Sequence, residues 1–206
     1  KSFMKATITS LIFLLLSLTV SSQTYKYIGI EEGLSNQKIY KIQKDARGYM
    51  WFLTHVGIDQ YNGKEIKHYK LREGNRELDP LLNINWTFLD KTGTLLVTGK
   101  QGRIFRYDSG HDRFVQIYNM YNYWNKDYHA FVRYSYIDQE DNVWLCGKSA
   151  IHLFNIESGQ KQRISNRLGN ITCIEQINSE HFFIGTDKRI YLAKLENGNL
   201  KELSCG

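Results

Sequence analysis

The sequence repeats one short pattern four times, and this repetition limits the fold more than any other feature of the chain. Each copy has a bulky anchor residue that opens a short apolar run ending in small residues. Successive anchors are 45, 48 and 39 positions apart. The anchors are Trp51, Leu96, Trp144 and Phe183. A repeat of about 40 to 50 residues predicts units that each bury a core only by packing on their neighbours.

Two further columns accompany the anchors. Twelve positions before each anchor stands a β-branched residue. These residues are Ile39, Ile84, Val132 and Ile171. Six positions before the first three anchors stands an aspartate in a polar turn. These aspartates are Asp45, Asp90 and Asp138, and Asn178 begins the corresponding turn of the fourth copy. Because Asp and Asn bond their own backbone at turns, each copy is predicted to be strand, turn, strand, turn, strand and a looser fourth strand.

This organisation predicts an all-β fold, a partial β-propeller of about four four-stranded antiparallel blades. We expect the propeller in residues 23–206, with blades near 37–80, 81–128, 129–168 and 169–206. Stacked blades would bury the anchors between them, so Trp51 and Trp144 are expected to pack between blades. Helical repeats are disfavoured because β-branched and aromatic residues alternate and no helical period lasts beyond two turns.

The first residues are typical of a secretion signal. Lys1 and Lys5 flank the start of the chain, and an apolar run follows from Ile8 to Val20. Small residues then precede Gln23. The run is shorter than the roughly 20 residues of a membrane span. We therefore expect a signal peptide in residues 1–22 and an exported mature protein; an uncleaved anchor helix is the alternative.

Charge and cysteine content exclude several classes of function. The net charge is +6. Without Lys1 and Lys5, 25 Lys and Arg stand against 21 Asp and Glu, and the net charge falls to +4. These charges are interspersed, so nucleic-acid binding is not predicted. The three cysteines, Cys146, Cys173 and Cys205, lack metal-ligand or framework spacing. Cys146 and Cys173 are expected to be buried apolar residues, and one disulfide between two of the three remains open.

No set of residues has the spacing of a catalytic or metal site. The six histidines lack metal-ligand spacing, and neither a nucleophile elbow nor a phosphate loop is present. The aspartates of the turn column recur once per blade, so we assign them to backbone geometry. The histidines are His55, His68, His111, His129, His152 and His181. We therefore predict neither a cofactor nor a metal for this chain, and we predict that it is not an enzyme.

One segment has the composition of a saccharide contact. Residues 118–129 combine aromatic rings with amides and charged groups, the groups that stack on sugar C–H faces and bond to hydroxyls. The candidate ligand-binding residues are Tyr123, Trp124 and Tyr128. The simpler alternative is an outer strand and loop that cover a blade edge.

The first copy resembles a known repeat. Its residues are Gly33-Leu34-Ser35-Asn36, followed by Ile39 to Thr54 with Asp45, Gly48 and Trp51, and then Gly57 to Gly63. This stretch resembles the two-component-regulator propeller repeat of periplasmic sensors in Bacteroidetes-type hybrid two-component histidine kinases. The resemblance extends over residues 25–198 and is looser in later copies, where Leu96 replaces the aromatic anchor and the fourth copy lacks the Asp-to-Gly turn.

The resemblance implies a function and a wider context. It implies a sensor domain from a seven-bladed ring that binds oligosaccharides and regulates polysaccharide utilisation. It also implies further propeller and kinase domains, an inner-membrane location for the full-length protein and a possible homodimer. None of these domains lies in the 206 residues, so we expect an N-terminal fragment. An exported propeller-type carbohydrate-active enzyme and an interaction scaffold are the alternatives.

Overall fold

The structure, a computed structural model, describes residues 25–123, 131–196 and 198–203. It contains four antiparallel sheets of four strands, each a simple meander. Blade 1 comprises β1 (Ile39–Lys44), β2 (Met50–Thr54), β3 (Ile58–Tyr61) and β4 (Ile66–Tyr69). Blade 2 comprises β7 (Trp86–Leu89), β8 (Leu95–Thr98), β9 (Arg103–Asp108) and β10 (Arg113–Asn119). Blade 3 comprises β11 (Tyr134–Ile137), β12 (Asn142–Cys146), β13 (Ala150–Asn155) and β14 (Lys161–Ser165). Blade 4 comprises β15 (Ile171–Gln176), β16 (His181–Thr186), β17 (Ile190–Glu196) and β18 (Asn199–Glu202).

Little regular structure lies between the blades. A two-stranded ribbon, β5 (Arg72–Glu73) and β6 (Arg76–Glu77), and a one-turn helix, Pro80–Asn83, connect blade 1 to blade 2. A 3₁₀ turn, Met120–Asn122, follows blade 2. None of the helices in the described part of the chain is long and apolar enough to cross a membrane.

The four anchors occupy one equivalent position. Each lies in the second strand of its blade and pairs with the residue eight positions earlier in the first strand. The pairs are Gln43 with Trp51, Phe88 with Leu96, Tyr136 with Trp144, and Glu175 with Phe183. This shared register confirms the predicted repeat and the partial propeller. The exact domain boundaries, including residues 1–22, remain predictions.

Neighbouring blades interlock through this column. Trp51 packs in one core with Leu95 and Val97, which flank the next anchor in the sequence. Leu96 packs in the same way with Val143 and Leu145, and Trp144 with Phe182 and Ile184. The anchor thus faces the following blade while its two sequence neighbours face the preceding one. Such face-to-face contact removes both apolar faces of a sheet from water.

The fourth anchor has a different environment. Phe183 is 48% exposed, whereas Phe182 beside it is fully buried against Trp144. Phe183 obeys the same register as the other anchors, so it lies on the face of blade 4 that points away from blade 3. No sheet within the described residues packs on that face.

The sequence motif that opens the first copy fastens the chain to blade 1. The backbone N–H and hydroxyl of Ser35 donate to Asp59 Oδ2 at 2.8 and 2.9 Å. His68 Nδ1 lies 2.8 Å from the other carboxylate oxygen. Asp59 is completely buried and Leu34 nearly so. A buried carboxylate needs such partners, and they hold residues 33–36 against the sheet.

The cysteine prediction was half wrong. Cys146 is buried, and burial raises the pKa of its thiol. Cys173 is exposed rather than buried. A register irregularity lies between Ile171 and Cys173 in β15, and the residues buried on that strand are Ile171, Ile174 and Gln176. Both thiols are free, and Cys205 lies outside the described residues.

Candidate functional site

The two ends of the blades differ in what their loops do. In a meander, the turns between strands one and two and between strands three and four lie at one end. We call this the Asp-turn end. The loops between strands two and three, and the connections from blade to blade, lie at the opposite crossover end. The first strands of successive blades contact one another, so they line the inner edge of the arc.

At the Asp-turn end, the aspartates of the repeat stabilise the turns between the first and second strands. Asp45 accepts hydrogen bonds from the backbone of Arg47 and Tyr49 and, at 3.0 Å, from Trp51 Nε1. The same residue-to-indole bond joins Asp138 and Trp144 at 2.9 Å. These carboxylates therefore shape hairpins and orient buried rings.

The second blade keeps the aspartate without the indole. Asp90 accepts from the backbone N–H groups of Thr92 and Thr94. Its other oxygen lies 2.7 Å from Arg106 Nη2. Asp90 is buried and therefore needs a partner for this oxygen. Blade 2 has a leucine anchor, which carries no indole N–H, so the Arg106 guanidinium takes that place.

The predicted saccharide residues are only partly described. Tyr123 is 52% exposed and stacks in parallel on Tyr118, with ring centres 5.6 Å apart. Tyr118 stacks in turn on Phe154 of blade 3, and Lys161 Nζ lies 4.4 Å from the centre of the Tyr123 ring. Trp124 and Tyr128 lie outside the described residues. The contacts of Tyr123 join blades 2 and 3, and its role towards a ligand stays a prediction.

At the crossover end, hydrogen bonds join loops of three blades into one surface. Val132 N donates to Lys100 O at 2.9 Å, which ties the start of blade 3 to a loop of blade 2. Arg133 Nη1 donates to Asn170 Oδ1 at 3.0 Å. Asn170 Nδ2 donates to Asp187 Oδ2 at 2.7 Å within blade 4. The surface is therefore continuous from blade 2 to blade 4.

Blade 1 contributes an aromatic pair to the same end. The Tyr40 hydroxyl and His55 Nδ1 lie 2.7 Å apart, and Tyr40 is 46% exposed. Lys38 Nζ lies 5.2 Å from the centre of the Tyr40 ring. Rings of this kind present an apolar face and a polar edge together. We call the combined surface the crossover rim, defined as Tyr40, His55, Lys100, Arg133, Asn170 and Asp187.

A lysine supports the inner edge below the rim. Lys41 Nζ donates to the Thr87 carbonyl at 3.0 Å and lies 5.5 Å from the Phe88 ring centre. Burial lowers the pKa of this ammonium. Lys41 therefore links the first strands of blades 1 and 2.

Sequence reasoning missed the crossover rim, although one signal pointed to it. The residue four positions after each anchor is polar and lies in the loop between strands two and three. These residues are His55, Lys100, Lys148 and Asp187. Their chemical types differ, so they do not form a column of similar residues, and only their shared position marks them.

A groove lies on the outer edge of the blades. It lies between β4 and β10, with a volume of about 530 Å³, and Tyr69, Phe114 and Asp112 are among its lining residues. The hydroxyls of Tyr69 and Tyr107 both donate to Asp112 Oδ1 at 2.6 Å. Burial raises the pKa of Tyr69. These hydrogen bonds join the fourth strand of blade 1 to the turn before β10 of blade 2.

Metal ligands do not converge in the described ranges. There, no group of three or more His, Cys, Asp or Glu side chains is placed to hold an ion. His68 and Asp59 contact each other, but their contact secures the segment before blade 1.

Comparison with known families identifies the first copy. Residues 33–55 match the model of the two component regulator propeller. The first copy is thus similar to the regulator-propeller repeat. The matched span includes the Ser35 motif, the Asp45 turn, the Trp51 anchor and His55 of the rim. A search of curated proteins found no match.

Solved structures share the architecture of this chain. The extracellular domain of BT3049 from B. thetaiotaomicron, assigned to the hybrid two-component systems, superposes with a TM-score of 0.63 at 17% identity. The match covers 87% of this chain and 26% of that one, so this chain spans about a quarter of that domain.

Two other propellers are similar at lower identity. The dihydro-heme d1 dehydrogenase NirN has a TM-score of 0.59 at 11% identity, covering 83% of this chain and 37% of NirN. PorZ, a surface component of the type-IX secretion system of Porphyromonas gingivalis, has a TM-score of 0.55 at 8% identity, covering 82% and 21%. These likenesses show the fold, which hosts both enzymes and other proteins, and leave function to the site.

Proposed function

We propose that this chain is part of the ligand-binding sensor of a hybrid two-component system. In this proposal it acts in the periplasm, where it binds oligosaccharides and so regulates polysaccharide utilisation. The observation that carries the proposal is the regulator-propeller repeat at residues 33–55. Its last residue, His55, contributes to the crossover rim.

The rim has the chemistry that saccharide binding requires. The half-exposed Tyr40 ring can lie against the C–H face of a sugar, while the Asn170 amide and Arg133 guanidinium can bond to hydroxyl oxygens. Tyr123, with Trp124 and Tyr128, belongs to the connection that leads to Arg133. We include these three residues in the proposed contact surface.

Binding at the rim would act on several blades at once. Because the rim residues come from all four blades, a ligand that spans them favours one relative arrangement of the blades. A ligand shifts such an equilibrium only by its difference in affinity for the two arrangements. Transmission to a kinase in the inner membrane, within a homodimer, completes the proposal.

Calorimetry with the full chain tests the proposal. We expect saturable binding of at least one oligosaccharide from a panel of polysaccharide digests. Tyr40→Ala should weaken that binding about tenfold, since stacking and one hydrogen bond are lost. Phe183→Ala is the matched control, because Phe183 is an aromatic residue of nearly equal exposure outside the rim.

Two results would contradict the sensor. Absence of binding across the panel would contradict the proposal that the chain binds an oligosaccharide. Shortened saccharides, detected by mass spectrometry after incubation, would instead identify the alternative, a carbohydrate-active enzyme.

A further inference from the structure

The loops at the crossover end carry an excess of positive charge. The four loops between second and third strands, together with residues 120–123, 131–133 and 166–170, contain six basic residues and one acidic residue. The basic residues are Lys100, Arg133, Lys148, Arg167, Lys188 and Arg189, and the acidic residue is Asp187. All seven are exposed. The longer segments 25–38 and 70–85 contain equal numbers of acids and bases, so they do not change this excess.

The Asp-turn end has the opposite charge. Its described loops contain nine acidic residues and three basic ones. The acids are Asp45, Glu65, Asp90, Asp112, Asp138, Glu140, Asp141, Glu157 and Glu180. The bases are Arg47, Lys64 and Lys91. The small net charge of the chain therefore conceals a strong separation of charge between its two ends.

Within the part of the chain that the structure describes, most basic side chains at the crossover end have no acidic partner. Arg189 pairs with Glu202 at 3.3 Å. Among the described residues, no ion pair joins the other five basic side chains to a carboxylate. Asp187 accepts its hydrogen bonds from Asn170, not from a lysine or arginine.

The basic loops are held next to one another. Arg133 reaches Asn170 across the boundary between blades 3 and 4, and Val132 bonds to Lys100 across the boundary between blades 2 and 3. Asn166 Nδ2 donates to Gly147 O and to Gly169 O at 2.9 Å each, which fixes the loop of Lys148 beside the same connection. Like charges gathered at one end of the molecule repel one another, and an anion bound among them relieves that repulsion.

We propose that the crossover rim selects an anionic oligosaccharide, one that bears carboxylate or sulfate groups, over a neutral one. This inference rests on the proposed function, because it names the ligand class of the same site. Arg133 and Lys100 of the rim, together with Lys148 in the adjacent loop of blade 3, supply charge-assisted hydrogen bonds to the anionic groups. Tyr40 and Asn170 contact the sugar ring, which a purely electrostatic surface would not do.

Matched saccharides separate charge from shape in the test. The full chain is titrated in a calorimeter with oligogalacturonide tetrasaccharides and with the same compounds after methyl esterification. A second arm uses κ-carrageenan tetrasaccharides before and after desulfation. We expect at least one charged form to bind about tenfold or more tightly than its neutral counterpart. Binding of the charged form should weaken as the salt concentration rises from about 50 to 500 mM.

Matched variants locate the effect. The double variant Lys100→Ala, Lys148→Ala should lower affinity for the charged saccharide about tenfold. The control Lys64→Ala, Lys91→Ala removes the same charge at the Asp-turn end and should leave affinity within about twofold, the range of a screened distant charge. All four side chains are exposed, so circular dichroism should show an unchanged fold.

Each remaining outcome overturns a defined part of the proposal. Equal affinity for charged and neutral saccharides would overturn charge selection but leave the sensor intact. Equal loss in both double variants would overturn the location at the rim. Binding of a single-stranded oligonucleotide of equal charge as tightly as the saccharide would show a non-specific polyanion surface. Absence of binding to every saccharide would remove the proposed function itself.

Discussion

Blades 3 and 4 place different residues at the same structural position. Trp144 and Phe183 share one register, yet Trp144 is fully buried and Phe183 is 48% exposed. The turn before Trp144 uses Asp138, which reaches the indole, whereas Asn178 in blade 4 accepts from the N–H groups of Glu180 and His181 and contacts the His181 ring. Strand pairing therefore sets the position of the anchor in the sheet. The neighbouring blade determines how deeply the anchor is buried and so how much it contributes to stability.

The turns of blades 3 and 4 also show that the first residue of the turn can have two separate functions. Both turns need an acceptor for backbone N–H groups, and either Asp or Asn supplies it. Only the carboxylate has a second oxygen that can accept the buried indole N–H of Trp144. The Asp–Trp pair is thus an addition to a turn that blade 4 forms without it.

Single substitutions of the two anchors, Trp144 and Phe183, should give the largest difference in the free energy of unfolding. Trp144→Ala should lower the free energy of unfolding by about 3–5 kcal/mol, because it leaves a cavity between blades and removes the hydrogen bond from the indole to Asp138. Phe183→Ala should cost less than about 1 kcal/mol, since half of its side chain is already in water. Urea unfolding followed by circular dichroism measures both. Equal losses of unfolding free energy would contradict the difference between the covered face of blade 3 and the uncovered face of blade 4.

The turn residues should show a smaller contrast. Asp138→Ala leaves the Glu140 and Asn142 N–H groups and the buried Trp144 indole without an acceptor, so we expect a loss of about 2–3 kcal/mol. Asn178→Ala, in an exposed turn, should cost about 1 kcal/mol. The same urea experiment compares them. A larger loss for Asn178→Ala would mean that backbone bonds, not the indole, dominate the turn.

The fold could be predicted because its determinants recur. Trp51, Leu96, Trp144 and Phe183 stand at near-regular spacing, and local strand and turn chemistry surrounds each of them. The burial of a single residue was harder to predict. Phe183 and Cys173 lie in strands as expected, but their exposure depends on which face a neighbouring sheet covers and on one irregular pairing.

The crossover rim could not be predicted because it is assembled from distant loops. Arg133 and Asn170 are 37 positions apart, and their contact exists only after blades 3 and 4 stack. Arg133 and Asn170 belong to different copies of the repeat, so the pattern of one copy does not predict their contact.

A double-mutant cycle between blades 3 and 4 tests the stacked arrangement most directly. The rings of Trp144 and Phe182 lie 4.8 Å apart across the interface. Unfolding free energies of Trp144→Leu, Phe182→Leu and the double variant give their coupling. The blade-on-blade arrangement predicts a coupling of about 0.5–1.5 kcal/mol, the range for packed aromatic pairs. Additive losses, within about 0.3 kcal/mol, would show that the two rings do not meet and would contradict the propeller.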